Sequence, residues 1–304
     1  MSTPSDKTQL TALNTLVGKL SENSRDLSEL EPYLVVLSGS EQGKQFKLHN
    51  HQHVLGREPA VDIMIPDPKV SRRHGMLWVH SQHILLEDLN STNGSYVNGK
   101  RVVKHKLELL DRIRLGDTYL KIDYKRFSEA KSEQALYVAA NLDAMTNILN
   151  RNAFMLRAQQ ELAFCKRNQT RLTVMMCDAD HFKRTNDNFG HLAGDQVLKD
   201  LAKILNAEMR QEDFLARYGG EEFIMLLREI SSEAAAILAE RIRHTVLGHM
   251  FQYQNRRIPT TISIGVCSCR VITDTSLEAI IQAADDALYR AKKNGRNRVE
   301  IDTR

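Results

Sequence analysis

The stretch that decides the fold is Arg217-Tyr218-Gly219-Gly220-Glu221-Glu222-Phe223. An apolar lead-in, Phe214-Leu215-Ala216, runs into the glycine pair; two carboxylates follow, and then the apolar run Phe223-Ile224-Met225-Leu226-Leu227. Gly-Gly between two strand-like segments predicts a tight hairpin, because glycine adopts the positive φ that such turns need. A tip without side-chain bulk lets a metal ion and a phosphate chain come close to the backbone. Taken alone, the same residues also suit a solvated acidic turn. They are not alone, because Asp178 closes a second apolar strand, Leu172-Thr-Val-Met-Met-Cys177. Two acids carried on strands are what a divalent-metal site for phosphoryl transfer requires.

Working outward, residues 150–167 read as a helix, and residues 195–210 as another with Leu198, Leu201, Ala202 and Leu205 on one face. A helix opens at Ser231-Ser232-Glu233, and Thr260–Val266 is a further strand. The last helix starts from Ser276 as N-cap, with Glu278 in its first turn, and ends at Gly295. The order α-β-α-β-β-α-β-α predicts a mixed α/β domain with a ferredoxin-like (palm-type) βαββαβ core over residues 143–304. Residues 126–142 contain neither Pro nor Gly and predict a helical linker. From 32 to 125 short β-rich runs recur between turn residues, which predicts an all-β antiparallel sandwich. Residues 1–31 are polar, with Leu10, Leu13, Val17, Leu20 and Leu27 spaced by three and four, as in a short amphipathic helix.

The chain of 304 residues fits two domains, each able to bury a core. A net charge of +4 is mild and gives no argument for a nucleic-acid partner. The four cysteines, Cys165, Cys177, Cys267 and Cys269, lack metal-knuckle spacing and read as free thiols of a reducing compartment. The start has no basic-then-apolar leader, and no window reaches membrane-spanning length, so the expected location is cytoplasmic with no membrane segment.

In the sandwich region Gly56-Arg57, Ser71-Arg72-Arg73-His74, Ser91-Thr92-Asn93-Gly94 and Val97-Asn98-Gly99 each end a strand-like run. Clustered at one rim, an arginine, hydroxyls and an amide make a donor set for a dianionic phosphate. For Asn98-Gly99 and His74 the plainer reading is preferred, a hairpin turn and a loop-holding histidine. Together with Leu115-Gly116-Asp117, these residues resemble the forkhead-associated (FHA) domain, a reader of phosphothreonine peptides. The resemblance implies that Arg57, Ser71, Arg72, Thr92 and Asn93 face the phosphate or the peptide backbone.

In the second region Asp143-Ala-Met-Thr-Asn-Ile-Leu-Asn-Arg151, Asp178-Ala-Asp-His-Phe-Lys183, Asn186-Asp-Asn-Phe-Gly-His191 and Gly194-Asp195 precede the Gly-Gly stretch, and Ser263-Ile-Gly265 and residues 284–297 follow it. In this order they resemble the GGDEF family of diguanylate cyclases, which join two GTP into cyclic di-GMP with release of two pyrophosphates. The resemblance implies that Asp178, Glu221 and the Ala179 carbonyl hold Mg2+ (or Mn2+), and that Glu222 orients or deprotonates the attacking 3′-hydroxyl. It further implies that Lys183, Lys292 and Arg296 bind the β- and γ-phosphates. Lys292 and Arg296 share a face if the last helical turn persists. Asn186 and Asp195 would read guanine, although Asp195 alone also suits a helix cap. Arg210-Gln-Glu-Asp213 matches the family's inhibitory product site, with Arg241 as its second arginine; taken alone, Arg-x-x-Asp is a surface ion pair. Two facing sites are needed for one ring, so a homodimer is expected, gated by a phosphothreonine-containing protein. The alternatives are a catalytically silent sensor of cyclic di-GMP or GTP and a phosphopeptide-dependent adaptor. One departure is Asn147, where the family's opening motif usually has glycine; asparagine tolerates the left-handed turn expected there.

Overall fold

The computed structural model describes residues 29–39, 41–80, 83–210 and 212–302, so the amphipathic helix expected over 1–31 lies almost wholly outside the described residues. The chain divides into two compact units between Leu136 and Tyr137. That division falls inside helix α1 (Phe127–Asn141).

The first unit is a sandwich of two sheets. The six-stranded sheet runs β2 (Gln45–Lys47), β1 (Leu30–Val36), β11 (Thr118–Arg126), β10 (Ile113–Leu115), β7 (Ser95–Val97), β8 (Lys100–Val102). The five-stranded sheet runs β4 (Ile63–Met64), β3 (Gln52–Gly56), β5 (Gly75–His80), β6 (His83–Asp88), β9 (Lys104–Leu107). Alternate residues such as Leu34, Val36, Leu77, Val79, Ile84, Leu86, Leu120 and Ile122 point into one shared core, as the two-residue period of a strand requires. Leu55 pairs with Gly75, which pairs with Asp88. The loops after β3, before β5 and after β6 therefore meet at one end. Asn98 (φ +51) and Gly99 (φ +80) form the turn between β7 and β8.

The second unit is a six-stranded mixed sheet in the order β12 (Leu149–Asn150), β14 (Phe214–Gly219), β15 (Glu222–Arg228), β13 (Arg171–Ala179), β18 (Ile262–Arg270), β19 (Val299–Asp302). A small hairpin of β16 (Gln252–Tyr253) and β17 (Arg256–Arg257) lies apart from it. The four central strands are antiparallel. Connected through helices, they are the ferredoxin-like core. One face packs on α4 (His191–Glu208) and α5 (Ser232–Gly248), where Met175, Cys177, Phe223, Met225, Ile264 and Val266 join Val197, Leu201, Leu238 and Ile242. The other packs on α2 (Arg151–Asn168) and α6 (Leu277–Lys293), where Leu172, Val174, Met176, Ile224 and Leu226 join Phe154, Leu162, Ile280 and Leu288. Both faces are covered, so β13 reads as a continuous apolar run rather than an alternating one.

This alternation decides where the acids go. Asp178 has the parity of Leu172, Val174 and Met176, and Glu222 that of Ile224 and Leu226, so both belong to the α6 face. Helix α6 lies unusually close there, because a Cβ on Gly265 would stand 2.1 Å from the Leu288 nitrogen and 2.2 Å from the Ala284 carbonyl. Glycine at 265 is therefore a packing requirement that sets the height of α6 above the strand ends. Ser231 and Ser276 cap α5 and α6 by accepting from Ala234 and Ala279.

Candidate active site

Gly219 and Glu222 close the β14–β15 hairpin, with Gly220 at φ +49 at its tip. The tip is held from two sides. Arg217 donates from Nε and Nη2 to the Gly220 carbonyl at 2.9 and 2.7 Å, and its Nη1 meets both oxygens of Asp143 at 3.3 Å. Asp143 also accepts from the Thr146 N–H and hydroxyl. Burial pushes the Asp143 carboxyl up, but the Thr146 bonds and the Arg217 charge outweigh it and bring the group below its ordinary range. On the other side, the Ala179 N–H donates to the Glu221 carbonyl at 3.3 Å, tying the turn to the end of β13.

Asp178 and Glu222 stand directly opposite one another on adjacent strands, a like-charge pairing that destabilises a sheet unless a cation intervenes. Asp178 is only 6% exposed. Burial first, and then the neighbouring Glu221 and Glu222 charges, push its carboxyl up to about 6, against the opposing pull of Lys292. The Lys292 ammonium lies 2.7 Å from Asp178 Oδ2, so a cation already sits at this oxygen. Among the described residues no group of three or more His, Cys, Asp or Glu side chains is arranged to enclose a metal. Mg2+ does not need such a cage, being held by one or two carboxylates with waters and substrate phosphates. Hard oxygens around a cation position fit it.

Asp180, which sequence reasoning left unassigned, is 6% exposed. Its Oδ1 accepts from the Ser263 hydroxyl at 2.6 Å; Oδ2 accepts from the Thr261 hydroxyl at 2.7 Å and from the Asn297 N–H at 2.9 Å. It thereby fastens the turn after α6, where Gly295, Arg296 and Asn297 all have positive φ (+117, +62 and +45). The helix stops at Lys293, so the condition for Lys292 and Arg296 to share a helical face is not met. Instead Lys292 reaches Asp178 from the last helical turn, and Arg296 hangs on a left-handed turn held by Asp180. The alternating Asp178-x-Asp180 pattern next to Ser263 was the signal for this role, since parity puts all three on the α6 face.

Asn186 belongs to α3 (Phe182–Phe189), a helix that was not read from the sequence. Its Oδ1 is buried and has no hydrogen-bond partner among the described residues. Gly194 makes room for it, because a Cβ there would lie 2.0 Å from that oxygen. Helix α4 begins at His191, with Gly190 at its N-cap position. Asp195 is thus inside the helix, and the cap reading falls away. Lys183 is exposed on α3.

Arg210 and Asp213 do not form the surface ion pair that their spacing alone suggests. Asp213 Oδ2 accepts from the Arg210 backbone N–H at 2.9 Å, and no side-chain pair joins the two. Burial raises the Asp213 carboxyl to about 6. Arg241 is fastened by its Nε to Glu208 at 2.6 Å, two residues before Arg210. A cavity of about 370 Å3 adjoins Asp213, walled by Thr146, Asn147, Arg157, Lys203 and Asn206 among others. Asn147 has φ +57, the left-handed turn expected of it, and borders this cavity.

At the loop end of the sandwich, the Thr92 N–H donates to Ser71 Oγ at 3.0 Å, and the two hydroxyls are 3.4 Å apart. The Arg57 N–H donates to the Ser71 carbonyl at 3.1 Å. Asn93 donates its amide to the Lys69 carbonyl at 2.7 Å. His74, fully buried, accepts from the Ser71 N–H at 3.0 Å and faces the Gly94 carbonyl at 3.3 Å, with burial holding its pKa down. It is the loop-holding histidine expected.

Comparison with known proteins is decided by the second unit. A family profile described as "Diguanylate cyclase, GGDEF domain" matches residues 140–298, just over half of the chain. The chain belongs to the GGDEF family. Residues 35–125 match a profile described as "Inner membrane component of T3SS, cytoplasmic domain", a domain class with the FHA-like fold. The chain is 37% identical over 260 residues to a diguanylate cyclase of Vibrio cholerae, covering 82% of this chain and 77% of that protein. It is 43% identical over 159 residues to diguanylate cyclase DgcP of Pseudomonas aeruginosa; this covers 52% of the chain but only 23% of that longer relative. The coiled coil and GGDEF domain of DgcB from Caulobacter crescentus, solved with c-di-GMP, superposes with a TM-score of 0.54 at 30% identity over 58% of this chain and 92% of that one. Among the described residues no helix is long and apolar enough to cross a membrane. The four cysteines of the GGDEF domain are free.

Proposed function

We propose that this chain is a diguanylate cyclase, converting two GTP into cyclic di-GMP and two pyrophosphates. The observation that carries the reading is the buried Asp178 opposite Glu222, with its carboxyl at about 6 and a cation against it. A magnesium ion held by Asp178, Glu221 and the Ala179 carbonyl would neutralise charge on the transferring phosphate and acidify the attacking hydroxyl. Glu222 then orients or deprotonates that hydroxyl. Lys183 and Arg296 steady the β- and γ-phosphates, and Lys292 joins them when the substrate arrives. The orphaned Asn186 oxygen and Asp195 accept from the N–H groups of guanine, which adenine cannot supply in that pattern.

One domain holds one GTP, so ring closure calls for two copies facing each other. The Arg210 guanidinium, without a partner among the described residues, together with Asp213 and Arg241 supports product binding in feedback inhibition. Arg57 with Ser71, Arg72, Thr92 and Asn93 supports phosphothreonine recognition by the sandwich, which would gate the enzyme. The test is incubation of the chain with GTP and Mg2+, with product identified by mass. Cyclic di-GMP should form with the unaltered chain and vanish with Asp178→Asn or Glu221→Gln while circular dichroism stays unchanged. Full turnover by either variant would refute the assignment, and binding of GTP without turnover by the unaltered chain would favour a sensor.

A further inference from the structure

Arg101, on β8 opposite Tyr96, has no role in the reading above. Its guanidinium rests on Gly94: a Cβ there would lie 2.5 Å from Arg101 Nε and 3.1 Å from Nη2. Gly94 (φ +75) follows Thr92 and Asn93 directly. The missing side chain lets the guanidinium lie across the loop whose Thr92 is bonded to Ser71. Arg57, whose N–H donates to the Ser71 carbonyl, and Arg72 and Arg73, which follow Ser71 in the chain, are also exposed. Among the described residues none of these four arginine side chains has a hydrogen bond or an ion pair. Elsewhere in the first unit Lys44, Lys47, Lys104, Lys121 and Lys125 each carry an acidic partner, and at this rim Lys69 is neutralised by Asp117 at 2.9 Å. Four uncompensated guanidinium groups around one loop cluster repel one another and raise the local potential for an anion. A single phosphate satisfies one or two of them, which leaves the rest for further negative charge. The rim's aromatic ring, Tyr96, is covered by Arg114 at 3.8 Å. Stacking of nucleic-acid bases is therefore poorly served.

We propose that Arg101, with Arg73, forms a second anion subsite beside the phosphothreonine position, so that the preferred partner is a peptide carrying a phosphothreonine and a further acidic group. The inference rests on phosphothreonine recognition by the sandwich, and the experiment separates the two. Fluorescence anisotropy of the full chain is measured with degenerate phosphothreonine peptides whose flanks are neutral, with the same peptides bearing glutamate or phosphoserine at the flanks, and with a single-stranded oligonucleotide. Flanking acid should tighten binding on the order of tenfold, the worth of one charge-assisted hydrogen bond. Arg101→Ala combined with Arg73→Ala should erase that gain and leave the neutral peptide's affinity unchanged, whereas Arg57→Ala should abolish both. Equal affinity for neutral and acidic flanks, an equal loss for both in the double variant, or oligonucleotide binding as tight as the acidic peptide would overturn the second subsite. Failure of every phosphopeptide to bind would refute the recognition reading, and the subsite with it.

Discussion

Replacing Asp180 tests whether the turn that carries Arg296, a proposed phosphate ligand, is positioned by a residue that never touches substrate. Its carboxylate accepts from Ser263, Thr261 and the Asn297 N–H at 2.6–2.9 Å. Ser263 is fully buried, so its hydroxyl has no water to turn to. Hydrogen bonds to a charged acceptor are worth about 1.5–3 kcal/mol each and do not add fully; Asp180→Ala is therefore expected to destabilise the domain by about 3–4 kcal/mol. For a domain of this size that corresponds to a melting temperature roughly 6–16 °C lower. Asp180→Asn keeps one oxygen for Thr261 and Asn297, and the Ser263 hydroxyl rotates to accept from the new amide, so the loss falls to about 1 kcal/mol. Released from Asp180, the three left-handed residues 295–297 relax, and Arg296 moves with them. In a pyrophosphate-release assay KM for GTP should rise about tenfold in Asp180→Ala with a smaller change in kcat, and Asp180→Asn should recover most of it. A melting temperature and KM within error of the unaltered chain in Asp180→Ala would refute the positioning role. A loss confined to kcat would place Asp180 among the reacting groups instead.

Asp178 has its folded pKa, about 6, above its ordinary 3.8, so without divalent metal its contribution to stability is fully present below pH 3.8 and is lost as pH rises through about 6. That contribution is at most about 3 kcal/mol. Denaturant midpoints in EDTA should fall across that window relative to Asp178→Asn, and a rise would contradict the burial argument. Asp143→Asn weakens the grip of Arg217 on the Gly220 carbonyl and should lower kcat about tenfold, with little change in GTP affinity measured by a fluorescent analogue. Arg210→Ala should raise the final yield of cyclic di-GMP without altering the initial rate; an unchanged yield would deny it a part in feedback. Cys269, partly buried where the other three cysteines are fully buried, and brought down to about 7 chiefly by its bond with the Cys267 thiol, should be the first cysteine alkylated at neutral pH, as peptide mapping would show.

What could be read from the sequence follows physical lines. The Gly-Gly hairpin, the buried strand ending at Asp178 and the helices capped by Ser231 and Ser276 were legible because each is a local signal: turn chemistry, apolar run or cap. The strands of the sandwich rich in Leu, Val and Ile were legible for the same reason. β9 was not, since Lys104-His-Lys-Leu107 carries too few apolar residues to show a period, and tertiary pairing alone makes it a strand. Helix α3 escaped because its eight residues bury only Phe182 and Thr185. The end of α6 was placed too late, since Gly295 is the natural stop, yet the chain leaves the helix two residues earlier to offer the Asn297 N–H to Asp180.

The same comparison explains why the site lies where it does. A sheet avoids like charges opposite each other and polar groups on a covered face, and this sheet breaks both rules at one spot, where Asp178, Asp180, Glu222 and Ser263 all turn toward α6. Two of the four, Asp180 and Ser263, satisfy each other. Asp178 and Glu222 do not, and among the described residues the cation at Asp178 is Lys292, carried there because Gly265 lets α6 lie against the strand. Under the proposed function Lys292 is shared between a carboxylate and a substrate phosphate, and a doubly charged ion at Asp178 would displace it. Lys292→Met separates the two uses: it should raise the Asp178 pKa further, weakening the metal-free domain at neutral pH, and leave Mg2+-loaded stability near that of the unaltered chain. If the variant is equally weakened with and without Mg2+, Lys292 is a fixed strut, and the carboxylate pair is not a site that exchanges one cation for another.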